Sequence, residues 1–527
     1  MKTFRFKALA MMVIASMAVV GCSETTKPAP ASTGTPTGSS TSAPTSAASK
    51  GPQKLAILVP NLPPVFGNFK EPSFQPGVTQ HVFPAVETLV GMTKEGPAPT
   101  KLATSWEIAP DGKSITFKLR QGVKFHDGSD FNADAVKWNI ETIKDKKDEL
   151  KIITSIDVVD PYTVKFNLSE YSNTLLYHLA WYDGCIISVK SYKGQTPEYI
   201  ASHLIGTGPY QVESYTKDTK VVFKKFADYW DKGKPALDTL ELDLVKDDNT
   251  AKNALLSGQA QVWDYVPPKE VENFKKQGYG VNVTPGLIRI GYPDSANADS
   301  PFAKKEVRYA IEYAVDKKAI ADAFGGGTFT VPQAPAAPNT HIGASAVTEG
   351  RSYNPAKAKE LLAQAGYPQG FKTSIFSQAA TNPELLTALQ GYYKAVGIDA
   401  QIQIVDAAKM SSLRVEGWKN GILIQGLSTS NANYIQALQT DGPSPSKAKS
   451  ALVTPEYSAL LKKAAQATTP AAQKELSEQM VKLTFDEAVI SPITVESRVA
   501  VYAPSVQNLD LSAFSIWFWN PGNITLK

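Results

Sequence analysis

Seven stretches of the chain carry apolar residues in the short runs or alternations expected of strands: 115–119, 163–168, 221–226, 240–245, 288–292, 401–405 and 421–425. Helices are marked by their ends. Ser300-Pro301 has the form of an N-cap followed by proline at the first helical position, and Val307, Ile311, Ala314 and Val315 then fall on one face. Asn354-Pro355 repeats the signal before Leu361 and Leu362, and Gly366 and Pro368 stop that helix. A third helix is predicted over 383–396, with Leu385, Leu386, Leu389 and Tyr393 at helical spacing and Gly397 at its end. From about residue 300 strands and helices alternate, which predicts a compact α/β lobe. Beyond Leu55 there is no further apolar run of membrane-spanning length and no fixed-period repeat.

The first residues follow a different logic. Basic Lys2, Arg5 and Lys7 precede an apolar run from Ala8 to Val20, too short to span a bilayer comfortably, and Gly21 precedes Cys22. This order predicts an export signal over 1–21. Val19-Val20-Gly21-Cys22 resembles the lipobox of bacterial lipoproteins, which implies cleavage before Cys22, acylation of its sulfur and a membrane-anchored product. Residues 23–52 are almost all Ser, Thr, Ala, Pro and Gly, with no aromatic or large aliphatic side chain. Such a segment buries nothing and acts as a tether. As a flexible coil its ends lie about 30 Å apart, and stretched it reaches on the order of 100 Å.

At 527 residues and 43% hydrophobic composition, the chain is long and apolar enough for more than one core. The net charge of +4 says little about partners. Lys2, Arg5 and Lys7 account for three of those charges, and Lys27 and Lys50 less Glu24 account for the fourth. The remaining body is formally neutral and has no electrostatic footprint for nucleic acid. Only Cys185 remains after Cys22, so the body has no internal disulfide, and the apolar run Cys185-Ile186-Ile187 predicts a buried thiol.

An ordered set of motifs runs from about residue 87 to 404: Leu102-Ala-Thr-Ser-Trp-Glu107, Gly122-Val-Lys-Phe-His-Asp-Gly128, Ala133-Asp-Ala-Val-Lys-Trp138, Gly206-Thr-Gly-Pro-Tyr210, Tyr229-Trp230, Val307-Arg-Tyr-Ala-Ile311, Tyr353-Asn-Pro-Ala-Lys-Ala358 and Leu361-Leu-Ala-Gln-Ala-Gly-Tyr-Pro368. The set resembles bacterial solute-binding protein family 5, the branch of dipeptide, oligopeptide and nickel receptors of ABC importers. The resemblance implies an α/β, two-lobe periplasmic-binding-protein-like fold with a hinge and an extra subdomain in the larger lobe. On this chain the larger lobe would comprise 53–287 plus 497–527, with the extra subdomain at about 76–205, and the smaller lobe 288–496. Expected partners are a small polar ligand, the membrane through the lipid anchor, and an ABC permease with cytoplasmic ATPase subunits. The expected state is a monomer at the cell surface or in the periplasm, without a cofactor.

Enzyme chemistry has no positive signal. His81, His126, His178, His203 and His341 are scattered, and none sits at the spacing of HExxH or a CxxC site. His126, beside Asp127 and Gly128, is read as part of a turn. Gly325-Gly326-Gly327 lacks the GK[ST] ending of a phosphate loop and follows a helix, and Gly343-Ala-Ser-Ala-Val347 is not a nucleophile elbow. No catalytic residue and no metal site is therefore assigned. A secreted lipoprotein hydrolase and a ligand receptor for a membrane sensor stand as alternative functions.

Two segments are candidate ligand contacts. Trp181, Tyr182 and Asp183 form a turn ending at Gly184, before Cys185-Ile-Ile-Ser188, which resembles the family's segment leading out of the cleft. These aromatics either stack on a ligand or cap a core edge. In peptide-binding relatives the segment matching 422–434 is implied to hold an aspartate for the peptide's amino terminus. Here no carboxylate occurs between Glu416 and Asp441, and Ser428, Ser430, Asn431 and Asn433 stand in that stretch. Their hydroxyls and amides match neutral or chelated polar groups, whereas an isolated ammonium would be buried unpaired at a cost of several kcal/mol. The same residues are equally read as an exposed polar loop.

Overall fold

The structure is a computed structural model that describes residues 53–62, 81–93, 96–335, 346–428, 448–509 and 521–527. Ten strands form one mixed sheet in the order Tyr210–Thr216, Lys220–Lys225, Thr239–Leu244, Lys54–Val59, Val262–Asp264, Ser491–Tyr502, Gly280–Pro293, Gly421–Ser428, Phe371–Gln378, Ile398–Val405. Lys54–Val59 shows why the centre of its half is covered parallel sheet, although the outer strands Tyr210–Thr216 and Lys220–Lys225 are antiparallel. Lys54–Val59 runs parallel to both neighbours, and its apolar residues have no polar alternation. Leu55, Ile57 and Val59 enter one core, while Ala56 and Leu58 enter the core on the opposite face with Leu255, Trp263 and Phe274.

Two long strands join the halves. Gly280–Pro293 and Ser491–Tyr502 pair antiparallel from Gly280↔Tyr502 to Gly291↔Ser491, with register shifts between Pro285 and Leu287 and between Arg289 and Ile290. Irregularities of this kind bend and twist a ribbon locally. The strand predicted at 288–292 is thus the far end of a much longer element.

In the second half, Phe371–Gln378 runs parallel to both Ile398–Val405 and Gly421–Ser428. Helices Lys305–Tyr313, Pro355–Gln364 and Pro383–Ala395 cover one face through Ile311, Leu362, Leu389 and Tyr393, packed on Ile375, Ile398 and Ile422. Asn354 and Asn382 cap the latter two helices with their side chains, where the sequence marks the starts. The start expected at Ser300-Pro301 needs correction. Ser300 does accept from the Phe302 amide, but it caps only a 3-10 turn, Pro301–Ala303; Lys304 is extended, and the helix begins at Lys305.

A separate four-stranded antiparallel sheet, Ala103–Ile108, Ser114–Leu119, Thr163–Leu168 and Ile153–Asp160, carries helix Ala133–Glu141 and its own core around Phe117, Phe166, Val136 and Ile140. Cys185 lies buried against the first half's core, as its apolar neighbours predict. Among the described residues no helix is long and apolar enough to cross a membrane.

A candidate ligand cleft at the strand crossing

The strand directions define the site. Val262–Asp264 runs antiparallel to Ser491–Tyr502, with Val262 opposite Tyr502 and Asp264 opposite Ala500, so its carboxyl end points toward the middle of the crossing pair. Lys54–Val59 and Thr239–Leu244 are parallel to it and end the same way. From the other half, Gly421–Ser428 pairs with Gly280–Pro293 so that Ser428 lies opposite Leu287, and Phe371–Gln378 and Ile398–Val405 run alongside. The carboxyl ends of both parallel sets therefore face the stretch around 284–289 and 494–498. In open α/β sheets, ligands bind outside those ends.

This stretch holds two arginine–carboxylate pairs. Arg289 meets Glu496 through Nε–Oε1 at 2.7 Å and Nη2–Oε2 at 2.9 Å, and its Nη1 lies 3.4 Å from the Thr381 hydroxyl. Arg498 meets Asp264 through Nε–Oδ1 at 2.7 Å and a second contact between Nη2 and Oδ2. Both pairs have the planar two-bond geometry that a guanidinium favours. Each cationic group is thereby matched by an anion, and the four together add no net charge.

Tyr265 stands above the second pair. Its ring centroid is 4.2 Å from the Arg498 guanidinium carbon, its amide donates to Asp264 Oδ1 at 2.9 Å, and the residue is 42% exposed. Its φ of 61° lies in the left-handed region, uncommon for a non-glycine residue. An exposed aromatic ring held at that backbone cost is a candidate for contact with a bound molecule.

The Trp181–Asp183 triple makes local packing and polar contacts. Tyr182 is buried against Phe83, with ring centroids 6.0 Å apart, and Asp183 is held by His178 Nδ1 at 3.1 Å and Lys147 Nζ at 3.7 Å. Trp181 is half-buried, meets the Tyr182 ring edge-on at 5.4 Å and packs on the core that contains Val59. Gly184 is required at this turn because a Cβ there would collide with the Leu179 carbonyl. Ser428 ends its strand at the crossing, whereas Ser430, Asn431, Asn433 and Cys22 lie outside the described residues.

The sequence reading missed Asp264, Tyr265, Arg289, Glu496 and Arg498. A signal was present: Arg289 interrupts Leu287-Ile288-Arg-Ile290, and Glu496 and Arg498 are the charged residues of the strand stretch Ile493-Thr-Val-Glu-Ser-Arg-Val-Ala-Val501. Two other polar clusters are held by internal hydrogen bonds. Buried Glu87 accepts from Thr207 at 3.1 Å, Tyr229 at 3.0 Å and Trp230 at 2.8 Å. Asp127 accepts from the hydroxyls of Ser129, Ser188 and Ser191, and His126 Nε2 lies 3.0 Å from the Gly208 carbonyl, so the predicted turn is a bonded corner. Among the described residues no cluster of three or more His, Cys, Asp or Glu side chains is placed to hold a metal ion.

Residues 99–448 match the family model described as bacterial extracellular solute-binding proteins, family 5 Middle. The chain belongs to family 5. It is 30% identical over 437 residues to the glutathione-binding protein GsiB of Shigella flexneri serotype 5b, covering 79% of this chain and 84% of that one. It is 34% identical over 338 residues to the protein of the same name from Salmonella typhi, covering 62% of this chain and 65% of the relative's length. Among solved structures, HbpA2 from Haemophilus parasuis superposes with a TM-score of 0.77 at 25% identity, over 90% of this chain and 100% of that one. NikA from Brucella suis in complex with Fe(III)-EDTA gives 0.77 at 24%, with the same coverage. The two-lobe, mixed α/β fold is thus that of the extracytoplasmic family 5 solute-binding proteins of ABC importers. As a member of that family of binding proteins the chain is not an enzyme.

Proposed function

We propose that this chain is the membrane-anchored receptor of an ABC importer, held by acylated Cys22 and the 23–52 tether, and that it encloses a small peptide-like polar solute at the strand crossing. The larger lobe is 53–287 with 497–527, the smaller lobe is 288–496, and the two crossing strands act as the hinge. Closure presents the loaded monomer to a permease driven by cytoplasmic ATPase subunits. The observation that carries this reading is the convergence of carboxyl strand ends from both halves on Asp264–Arg498 and Arg289–Glu496.

The ligand class follows from charge. The two ion pairs are self-neutralised, and no carboxylate occurs between Glu416 and Asp441, so the cleft suits a solute without an isolated cationic amine. Tyr265 and half-buried Trp181 offer aromatic surface, and Ser428, Ser430, Asn431 and Asn433 offer hydroxyls and amides. Reduced glutathione is the first probe. Relatives are named for binding it, and its amine lies beside its own α-carboxylate, which supplies the countercharge. Metal chelates are the second probe.

Calorimetric titration of the chain from residue 22, carrying Cys22→Ser, should give binding of reduced glutathione or a chelate and little or none of a pool of simple dipeptides. Tight, amine-dependent dipeptide binding would overturn the ligand class.

A further inference from the structure

Closure as proposed above needs groups that hold the halves together without touching the solute. The four-stranded module and the helical pair Pro455–Gln466 and Pro470–Asp486 belong to different halves, share no strand, and have separate cores. They meet at Asn173. Its backbone amide donates to the Ala465 carbonyl at 2.7 Å, and its side-chain amide donates to the carbonyls of Ala464 at 2.6 Å and Ala467 at 3.3 Å. Asn173 is 1% exposed, so the contact is sealed from water.

The direction of that side chain is informative. Asn173 occupies the N-cap position of the short helix Thr174–Leu179, where an asparagine ordinarily bonds its own helix, yet it makes no such capping bond. It reaches instead to the opposite half, where the end of Pro455–Gln466 leaves its last carbonyls without intrahelical donors. Ala465 is one of these, and Ala464 has only a 3.3 Å bond from the Ala467 amide at the C-cap. When the halves separate, water can satisfy the same carbonyls, so the contact favours closure by a modest and reversible amount.

We infer that Asn173 is a closure latch: an affinity-determining residue remote from the ligand that tightens binding of any enclosed solute by stabilising the closed pair of lobes. It rests on the reading that the lobes close on a solute, but it can be tested without one. The latch acts on the open–closed equilibrium and not on ligand contacts, so it changes affinity only through the closed population. Asn173→Ala removes the side-chain donors to Ala464 and Ala467 and keeps the backbone bond to Ala465. Asn173→Asp goes further, placing an acceptor-only carboxylate against helix-terminal carbonyls and the negative end of the helix dipole.

The test uses the chain from residue 22 with Cys22→Ser and spin labels at Val159→Cys and Lys462→Cys, both exposed and one in each half. Cys185 is buried and escapes labelling. Without ligand, Asn173→Ala should raise the ratio of long to short label distances by about tenfold, and Asn173→Asp by more. The affinity for reduced glutathione should weaken by no more than that ratio, chiefly through faster dissociation. Unchanged distance distributions in Asn173→Ala, with an unchanged melting temperature, would overturn the latch, and this variant decides alone if Asn173→Asp does not fold. Failure of the parent protein to bind glutathione would count against the proposed ligand, while the ligand-free distances would still decide the latch.

Discussion

Replacing Arg498 with methionine should be among the most destabilising single changes at the cleft. Asp264 and Arg498 are 3% and 7% exposed, and they are joined by two charge-assisted bonds. At 4 Å and an effective dielectric of 20 the attraction between two unit charges is about 4 kcal/mol, a gain largely offset by the desolvation of both ions. Arg498→Met leaves that desolvation uncompensated for Asp264, which costs about 3–5 kcal/mol when a buried pair loses one member. The Tyr265 amide still donates to Asp264 at 2.9 Å, which places the expected loss near the lower end, about 3 kcal/mol. Arg498→Met combined with Asp264→Leu removes both charges and should cost only about 1 kcal/mol, mainly for the Tyr265 amide left without its acceptor. Urea denaturation followed by tryptophan fluorescence would report both, since Trp263 is buried beside Asp264. A single-variant loss below about 1 kcal/mol, or a double variant as costly as the single, would refute the claim that Arg498 is held there as the countercharge of Asp264.

The corner at His126 and Asp127 predicts a two-step loss of stability in acid. Burial holds the His126 imidazole down to about 4 against the opposing pull of the Gly208 carbonyl, so its contribution is complete above about 6.5 and is lost as pH falls from there to about 4; His126→Gln should flatten that part of a stability–pH curve. Burial pushes the Asp127 carboxyl up, but hydrogen bonds from Ser129, Ser188 and Ser191 outweigh it and leave the group at about 2, so the advantage of the parent over Asp127→Asn should shrink between about pH 4 and pH 2. Cys22→Ser should abolish incorporation of labelled fatty acid and release the body from membranes, and a variant still labelled and retained would remove the anchor. Trp181→Ala should weaken binding of reduced glutathione by more than it lowers the melting temperature; a folded variant with unchanged affinity would assign Trp181 to the core edge alone.

Local chemistry was enough to read much of the fold. Asn354-Pro355 combines a capping side chain with a pre-set proline φ, so that helix starts where the sequence marks it, and the helix expected from 383 by its apolar spacing starts there behind the Asn382 cap. At Ser300-Pro301 the same signal gave only a 3-10 turn, because a cap fixes the first turn and cannot dictate what the next residue, extended Lys304, does. The alternation at 163–168 became a strand for the period-2 reason, the unbroken apolar run at 421–425 became one with Ile422, Leu423 and Ile424 all buried, and the ordered motifs marked the family. What the sequence could not show was partnership. Arg289 and Glu496 are separated by 207 positions, Asp264 and Arg498 by 234, and Asn173 and Ala464 by 291. Nothing in either local neighbourhood names the other member. Antiparallel pairing of two distant strands brings the first two pairs together, and the approach of two separately packed halves makes the third. Local propensity and periodicity therefore determined the elements, while the register of the crossing strands and the meeting of the lobes decided the candidate site, because only there do long-range contacts match charges and donors that the chain order keeps apart.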